Sequence, residues 1–240
     1  MSFKELMMRY WALVSLILTT SALAQFTNES ELSLVQTGGN SEVQTNNAKT
    51  TNVYQWTRNS LRFGGRYTYG ETENGVSARN WDINARFERI LSPKISATLG
   101  GVIEGNTFIG LQTRYNSDAG LKYYHVKSDM KNIITELGYR YTIEDRVAPI
   151  ENTYDNKGRL YNEINHKISE TVQYKVWLEF VPNFTESEDY LINGEASITS
   201  ILNSVFSLRV AYLGMYDNLP AFSGFKNYDY TTTTSIVAKF

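Results

Sequence analysis

Chemistry by side chains usually needs an imidazole, a thiol or converging carboxylates, and the first two are scarce here. The 240 residues hold two histidines and no cysteine. Without cysteine there is no disulfide, no thiol nucleophile and no thiolate metal site. His125 follows Tyr123 and Tyr124, and His166 shares alternate-residue parity with Ile164 and Ile168. Neither stands beside a Ser or Asp in a local motif that would make it a general base. A net charge of −2 supplies no basic field for nucleic acid. No catalytic residue, cofactor or metal ligand is therefore assigned.

What remains is a dispersed set of charges. The basic members are Arg62, Arg66, Arg86, Lys122, Arg140, Lys167, Lys175 and Arg209. The acidic ones are Asp82, Glu88, Glu104, Glu136, Glu144, Glu163, Glu179 and Glu195. The two sets balance, and nearly every member falls between apolar or aromatic neighbours. Charges that recur at every second residue on otherwise apolar segments imply strands with two unlike faces.

Those segments are well defined. In Leu61-Arg62-Phe63-Gly64-Gly65-Arg66-Tyr67-Thr68-Tyr69 the odd positions are mostly bulky and apolar, and the even ones charged or small. Trp81 to Glu88 repeats the pattern, as do Ile133 to Glu144, Val172 to Phe180, Phe206 to Tyr216 and Tyr228 to Phe240. Breakers between the runs alternate in length. Short turns fall at 57–59, 91–94, 127–130, 168–170 and 202–204; mostly longer polar loops fall at 38–42, 70–77, 107–112, 145–158, 185–189 and 218–227. Counting between them gives twelve strands, with weak alternation in 42–56 and 159–168 and both termini on the short-turn side. No linker composition divides residues 25–240, which read as one all-β domain.

The N-terminus assigns a compartment. Lys4 and Arg9 precede the apolar run Tyr10 to Leu18, and Ala22-Leu23-Ala24 offers the small-x-small pattern of a cleavage site. Residues 1–24 thus read as a signal peptide removed after Ala24. Past it no segment is long and apolar enough for a spanning helix. An exported chain with alternating strands, tight turns opposite long loops and a mean hydropathy of only −0.36 fits a transmembrane antiparallel β-barrel of up-and-down topology, closed so that no backbone group meets lipid unpaired. The expected location is the outer membrane of a Gram-negative-type cell. The final strand ends in register on Phe240, the form of a C-terminal assembly signal for outer-membrane barrels. Tyr and Trp residues such as Trp56, Trp81, Tyr123 and Tyr216 are expected at the membrane interfaces.

The stretch Glu31-Leu32-Ser33-Leu34-Val35-Gln36-Thr37-Gly38-Gly39-Asn40-Ser41, the alternating hairpins and the closing strand 229–240 together resemble the YdiY-like family of salt-induced outer-membrane proteins. The resemblance spans nearly all of 25–240, with Thr-Gly-Gly-Asn-Ser as its one compact motif. It implies an outer-membrane barrel linked to salt or osmotic stress and carries no catalytic motif.

In a barrel whose apolar parity faces lipid, the sixteen charged residues line the lumen. Two readings follow. The charges pair and make a rigid, nearly closed interior, or they line a narrow wet channel, porin-like, that selects small polar or ionic solutes. An outer-membrane hydrolase or acyltransferase is the alternative from another class. Glu186, Glu188 and Asp189 crowd one loop, where carboxylates could attract divalent cations, free or bridging to lipopolysaccharide phosphates; such a run is ordinarily a solvated loop. The expected partners are outer-membrane lipid and lipopolysaccharide, the barrel assembly machinery and small solutes.

Overall fold

A computed structural model describes residues 25–38, 43–72, 75–220 and 224–240. The signal peptide expected over 1–24, and residues 39–42 of the Thr-Gly-Gly-Asn-Ser motif and its loop, lie outside the described residues. Twelve strands follow one another: β1 (Gln25–Gly38), β2 (Val43–Trp56), β3 (Asn59–Thr72), β4 (Gly75–Ser92), β5 (Ile95–Asn106), β6 (Leu111–Lys127), β7 (Lys131–Arg146), β8 (Thr153–Lys167), β9 (Val172–Pro182), β10 (Tyr190–Ile201), β11 (Phe206–Asp217) and β12 (Tyr228–Lys239). Each pairs antiparallel with the next, and β1 pairs with β12, so the sheet closes on itself. The seam is sealed to its last residue: the N–H of Asn28 donates to the Phe240 carbonyl at 2.8 Å, and the N–H of Phe240 returns a bond of 2.8 Å to Asn28.

Period-two alternation sets the two faces. On β7, Leu137 is 65% exposed while its neighbour Glu136 is 3% exposed, because successive side chains point to opposite sides of a strand. The outward rows carry Leu99, Leu121, Leu137, Leu178 and Ile198, all exposed. The inward rows carry the charges and most of the small polar residues. Among the described residues there is accordingly no apolar core of the usual kind, and what fills the centre is mostly polar.

The turns fall where the breakers put them, at Thr57–Arg58, Pro93–Lys94, 128–130, 168–171 and 202–205. Gln25 and Phe240, the first and last described residues, lie at this turn end. The opposite, loop end departs from the sequence reading in three places. The loop expected over 70–77 is mostly strand, since β3 runs to Thr72 and β4 begins at Gly75. The loop expected over 145–158 is confined to 147–152, since β8 begins at Thr153 and pairs it with Glu144. The polar segment Thr153 to Gly158 alternates too, with Tyr154 outward and Asp155 and Lys157 buried, but its inward face is charged and looks like loop in one dimension. At 107–112 the chain makes a single 3-10 turn, Thr107–Ile109, ended by Gly110 at φ 78, a left-handed conformation that glycine adopts without strain.

Candidate functional site

The lumen is the candidate site, and ion pairs organise it. Its hub is Glu136 on β7. One carboxylate oxygen accepts from Arg86 of β4 at 2.6 Å and from Arg159 of β8 at 2.7 Å. The other lies 3.6 Å from Lys122 of β6, which is also paired with Glu88 of β4. Arg86 and Glu136 sit three strands apart, so their pair crosses the lumen as a chord. Arg159 continues the network to Glu179 of β9. Arg140 also reaches Glu179, at 3.4 Å, and holds Asp118 with two bonds of 2.7 and 2.9 Å. That two-pronged geometry is what a guanidinium offers a carboxylate.

Room for these long side chains comes from inward glycines. Gly100, Gly120 and Gly138 lie with Arg62, Arg86, Arg140 and Arg159 around a cavity of about 220 Å³. Nearer the loop end a second network holds Arg114 to Glu104 at 3.2 Å and to Glu144 at 2.8 Å, with Arg146 on Glu144 at 2.9 Å. Lys157, buried, reaches Asp189 at 3.1 Å and Asp155 at 3.7 Å. All of these but Asp155 line a larger cavity of about 490 Å³, whose wall also includes Leu191, Leu213 and Met215.

The sixteen charges named from the sequence divide as follows. Arg86, Glu88, Lys122, Glu136, Arg140 and Glu179 form the central network; Glu104 and Glu144 join the upper one; Arg66 pairs with Asp82 at 2.9 Å, and Lys175 with Glu163 at 2.9 Å. Arg209 of β11 bridges the seam to Glu29 at 2.8 Å and Glu31 at 3.0 Å. Glu195 lines the larger cavity and Arg62 the smaller one, neither with an ion pair among the described residues. Lys167 is a correction: it shares the inward parity of Glu163 but is the last residue of β8, exposed at the turn end, so it stands at the rim and lines neither cavity.

Sequence reasoning did not place Glu29, Glu31, Arg114, Asp118, Arg146, Asp155, Lys157 or Arg159 in the lumen, and it read Asp189 as part of an acidic loop. Parity would have found Arg114 and Asp118, which alternate with Tyr115 and Ala119. Asp155 and Lys157 alternate with Tyr154 in a stretch polar enough to look like loop, while Arg146 ends β7 and Asp189 lies in a loop.

The two histidines are outward. His125 Nε2 lies 2.9 Å from Thr135 Oγ1, which is bonded to Asn162 at 2.7 Å, and His166 meets Tyr174 edge-on. The hydroxyl thus stands between imidazole and amide, so the amide does not orient the imidazole as a base would require. Asp189 is held by Lys157 and by Asn183 at 2.7 Å, which draws it away from Glu186 and Glu188; among the described residues no group of three metal-ligating side chains converges. Trp56 is buried against Phe87 and Tyr54 rather than freely displayed, while Tyr190 and Tyr216 stack at 6.0 Å at the loop end.

A closed twelve-strand antiparallel barrel with an apolar exterior and a charged lumen is the architecture of small porins. The solved structure of the NanC porin superposes with a TM-score of 0.60 at 8% identity, covering 87% of this chain and 98% of that one. The KdgM porin gives 0.55 at 9% identity, covering 88% and 99%, and its complex with disordered oligogalacturonate gives 0.52 at 10%, covering 88% and 99%. At these identities the likeness establishes the fold. Comparison with curated proteins gives no match. The chain belongs to the family described as protein of unknown function, DUF481, whose model matches residues 30–240.

Proposed function

We propose that this chain is an outer-membrane barrel whose narrow, ion-paired lumen passes small polar or ionic solutes. One observation carries the reading: along most strands neighbouring residues alternate between exposed apolar side chains outside and charged or polar ones inside, as Leu137 and Glu136 do. An exterior of that kind suits hydrocarbon, and the closed ladder leaves no strand edge to satisfy there. Opposite charges held in pairs leave a polar path of small bore instead of a field of one sign, which favours small solutes over a particular class of large anion or cation.

The rest of the proposal follows from location. Residues 1–24 direct export and are removed. Phe240, which makes the last backbone pair of the seam, is read by the assembly machinery, so deleting it lowers the yield of folded barrel. Outer-membrane lipid and lipopolysaccharide surround the apolar band. The role under salt or osmotic stress that the family resemblance implies predicts greater abundance of the protein at raised osmolarity.

The test is fractionation with gel mobility. The processed protein is expected with outer membranes, running faster unheated than boiled because a closed barrel resists detergent. A soluble periplasmic species with no such mobility difference would contradict the proposal.

A further inference from the structure

Charge pairing in the lumen is not complete. The smaller cavity, of about 220 Å³, carries four guanidinium groups in its wall, from Arg62, Arg86, Arg140 and Arg159, against two carboxylates, from Asp118 and Glu136. Both carboxylates are already engaged: Asp118 takes two bonds from Arg140, and Glu136 accepts from Arg86 and Arg159. Arg62 is left over. The register puts it directly opposite Arg86 on β4 and opposite Val53 on β2, so neither neighbouring strand offers it an acid at its own level. The diagonal carboxylate on β4, Glu88, is held by Lys122 and Tyr124. Among the described residues Arg62 makes no ion pair or hydrogen bond. Arg86 spends one described bond on Glu136, although a guanidinium has five N–H donors.

We propose that this cavity is a binding site for a small oxyanion of the phosphate or sulfate class, held by Arg62 and Arg86. The inference rests on the reading of the lumen as a solute path and deepens it by naming a solute. Like charges directly opposite each other on neighbouring strands repel, and an anion seated between them turns that repulsion into two attractions. Four guanidiniums against two carboxylates leave an excess of two positive charges, which a phosphate or sulfate dianion balances. The uncommitted N–H groups of Arg62 and Arg86 are planar forks, the shape that grips two oxygens of such an anion at once. Glycines keep the space clear. Gly100 stands directly opposite Arg86, where a Cβ would come within 3.3 Å of the Arg86 Cβ, and Gly120 and Gly138 line the same cavity. A cation entering the cavity would find no uncommitted carboxylate to receive it.

Calorimetric titration of the folded barrel in micelles with inorganic phosphate, at constant ionic strength, tests the site. Saturable binding that sulfate displaces is expected. Arg62→Gln, with heat-dependent mobility retained, should weaken it about tenfold or more, as loss of a charge-assisted hydrogen bond does. Lys167→Gln, which removes the same charge at the rim, should leave it unchanged. In a planar bilayer, phosphate should lower the chloride current of the unmutated barrel over the same concentration range and have no such effect on Arg62→Gln. Absence of saturable binding in a chain that keeps heat-dependent mobility and conducts would overturn the oxyanion site and leave the channel reading intact. Binding that Arg62→Gln does not weaken would place the anion elsewhere, and equal weakening by Lys167→Gln would reduce it to general attraction; both overturn the site. Saturable binding that depends on Arg62 in a chain that passes no current would uphold the site and overturn the channel reading alone.

Discussion

The two sides of the barrel solve the same problem by different means. From β4 to β9 the inner wall is bound by ionic networks, with Glu136 receiving three cations and the chord from Arg86 crossing the lumen. From β10 through the seam to β3 the wall is mostly hydroxyls and amides: Thr68 donates to Asn47 at 3.2 Å and Asn47 to Ser33 at 3.2 Å. Two cations serve the carboxylates there: Arg209 ties Glu29 and Glu31 across the seam, and Lys49 lies 4.0 Å from Glu31. The neutral ladder follows neighbouring strands and only lines the wall, whereas the ionic side chains are long enough to fill the lumen. The difference shows that the bore of such a barrel is set by side-chain reach as much as by strand number.

That contrast makes predictions of decreasing size. Glu136→Ala is expected to be the most damaging change, because it orphans Arg86 and takes one of two carboxylate partners from each of Lys122 and Arg159 in a confined space; loss of one partner from a buried pair costs about 3–5 kcal/mol. Denaturant unfolding of the barrel in micelles measures it, and Glu136→Gln, which keeps the shape and an acceptor, should lie between. A change near zero would mean that water fills the centre and solvates the cations.

Arg209→Ala tests the other wall. It leaves Glu29 without its ion-pair partner and Glu31 with Lys49 alone, at 4.0 Å, but the Glu29 side chain is 34% exposed, so water relieves part of the loss. A destabilisation of about 1.5–3 kcal/mol is expected, the range for hydrogen bonds to charged groups. Equality with Glu136→Ala in the same unfolding assay would erase the distinction between the walls.

Asn47→Ala removes the middle rung of the neutral ladder. About 1 kcal/mol is expected, as for a hydrogen bond between uncharged groups, with no change in conductance. A change in conductance would place the constriction on the neutral wall. Arg62→Ala is the smallest in stability and the clearest in selectivity: Arg62 lines the smaller cavity with no ion pair among the described residues, so its loss should leave unfolding unaltered and shift the reversal potential toward cations. No shift would put Arg62 outside the conducting path.

The strands were legible in the sequence because alternation is a local property, written into each segment whatever it pairs with. Closure was legible only indirectly, from an even number of runs and a terminus in register. The pairing inside the lumen was not legible. Parity tells that Arg86 and Glu136 face inward, but their meeting depends on barrel stagger and on the empty space above Gly100, Gly120 and Gly138, which no segment records by itself. Lys167 shows the converse failure, a correct parity at a strand end where the wall has already stopped. The weak alternation of 42–56 has its own cause, since β2 is polar on both faces: Asn47 and Lys49 inside, Thr50 and Asn52 outside.

The account stands or falls on how much of the lumen the ionic wall occupies. Single-channel conductance of the unmutated barrel in a planar bilayer, compared with that of Glu136→Ala, measures this directly. Small conductance from the native protein that rises when the Arg86–Glu136 chord is cut is the predicted result. Large, stable steps from the native protein, unaltered by the substitution, would show an open pore in which the network does not govern passage.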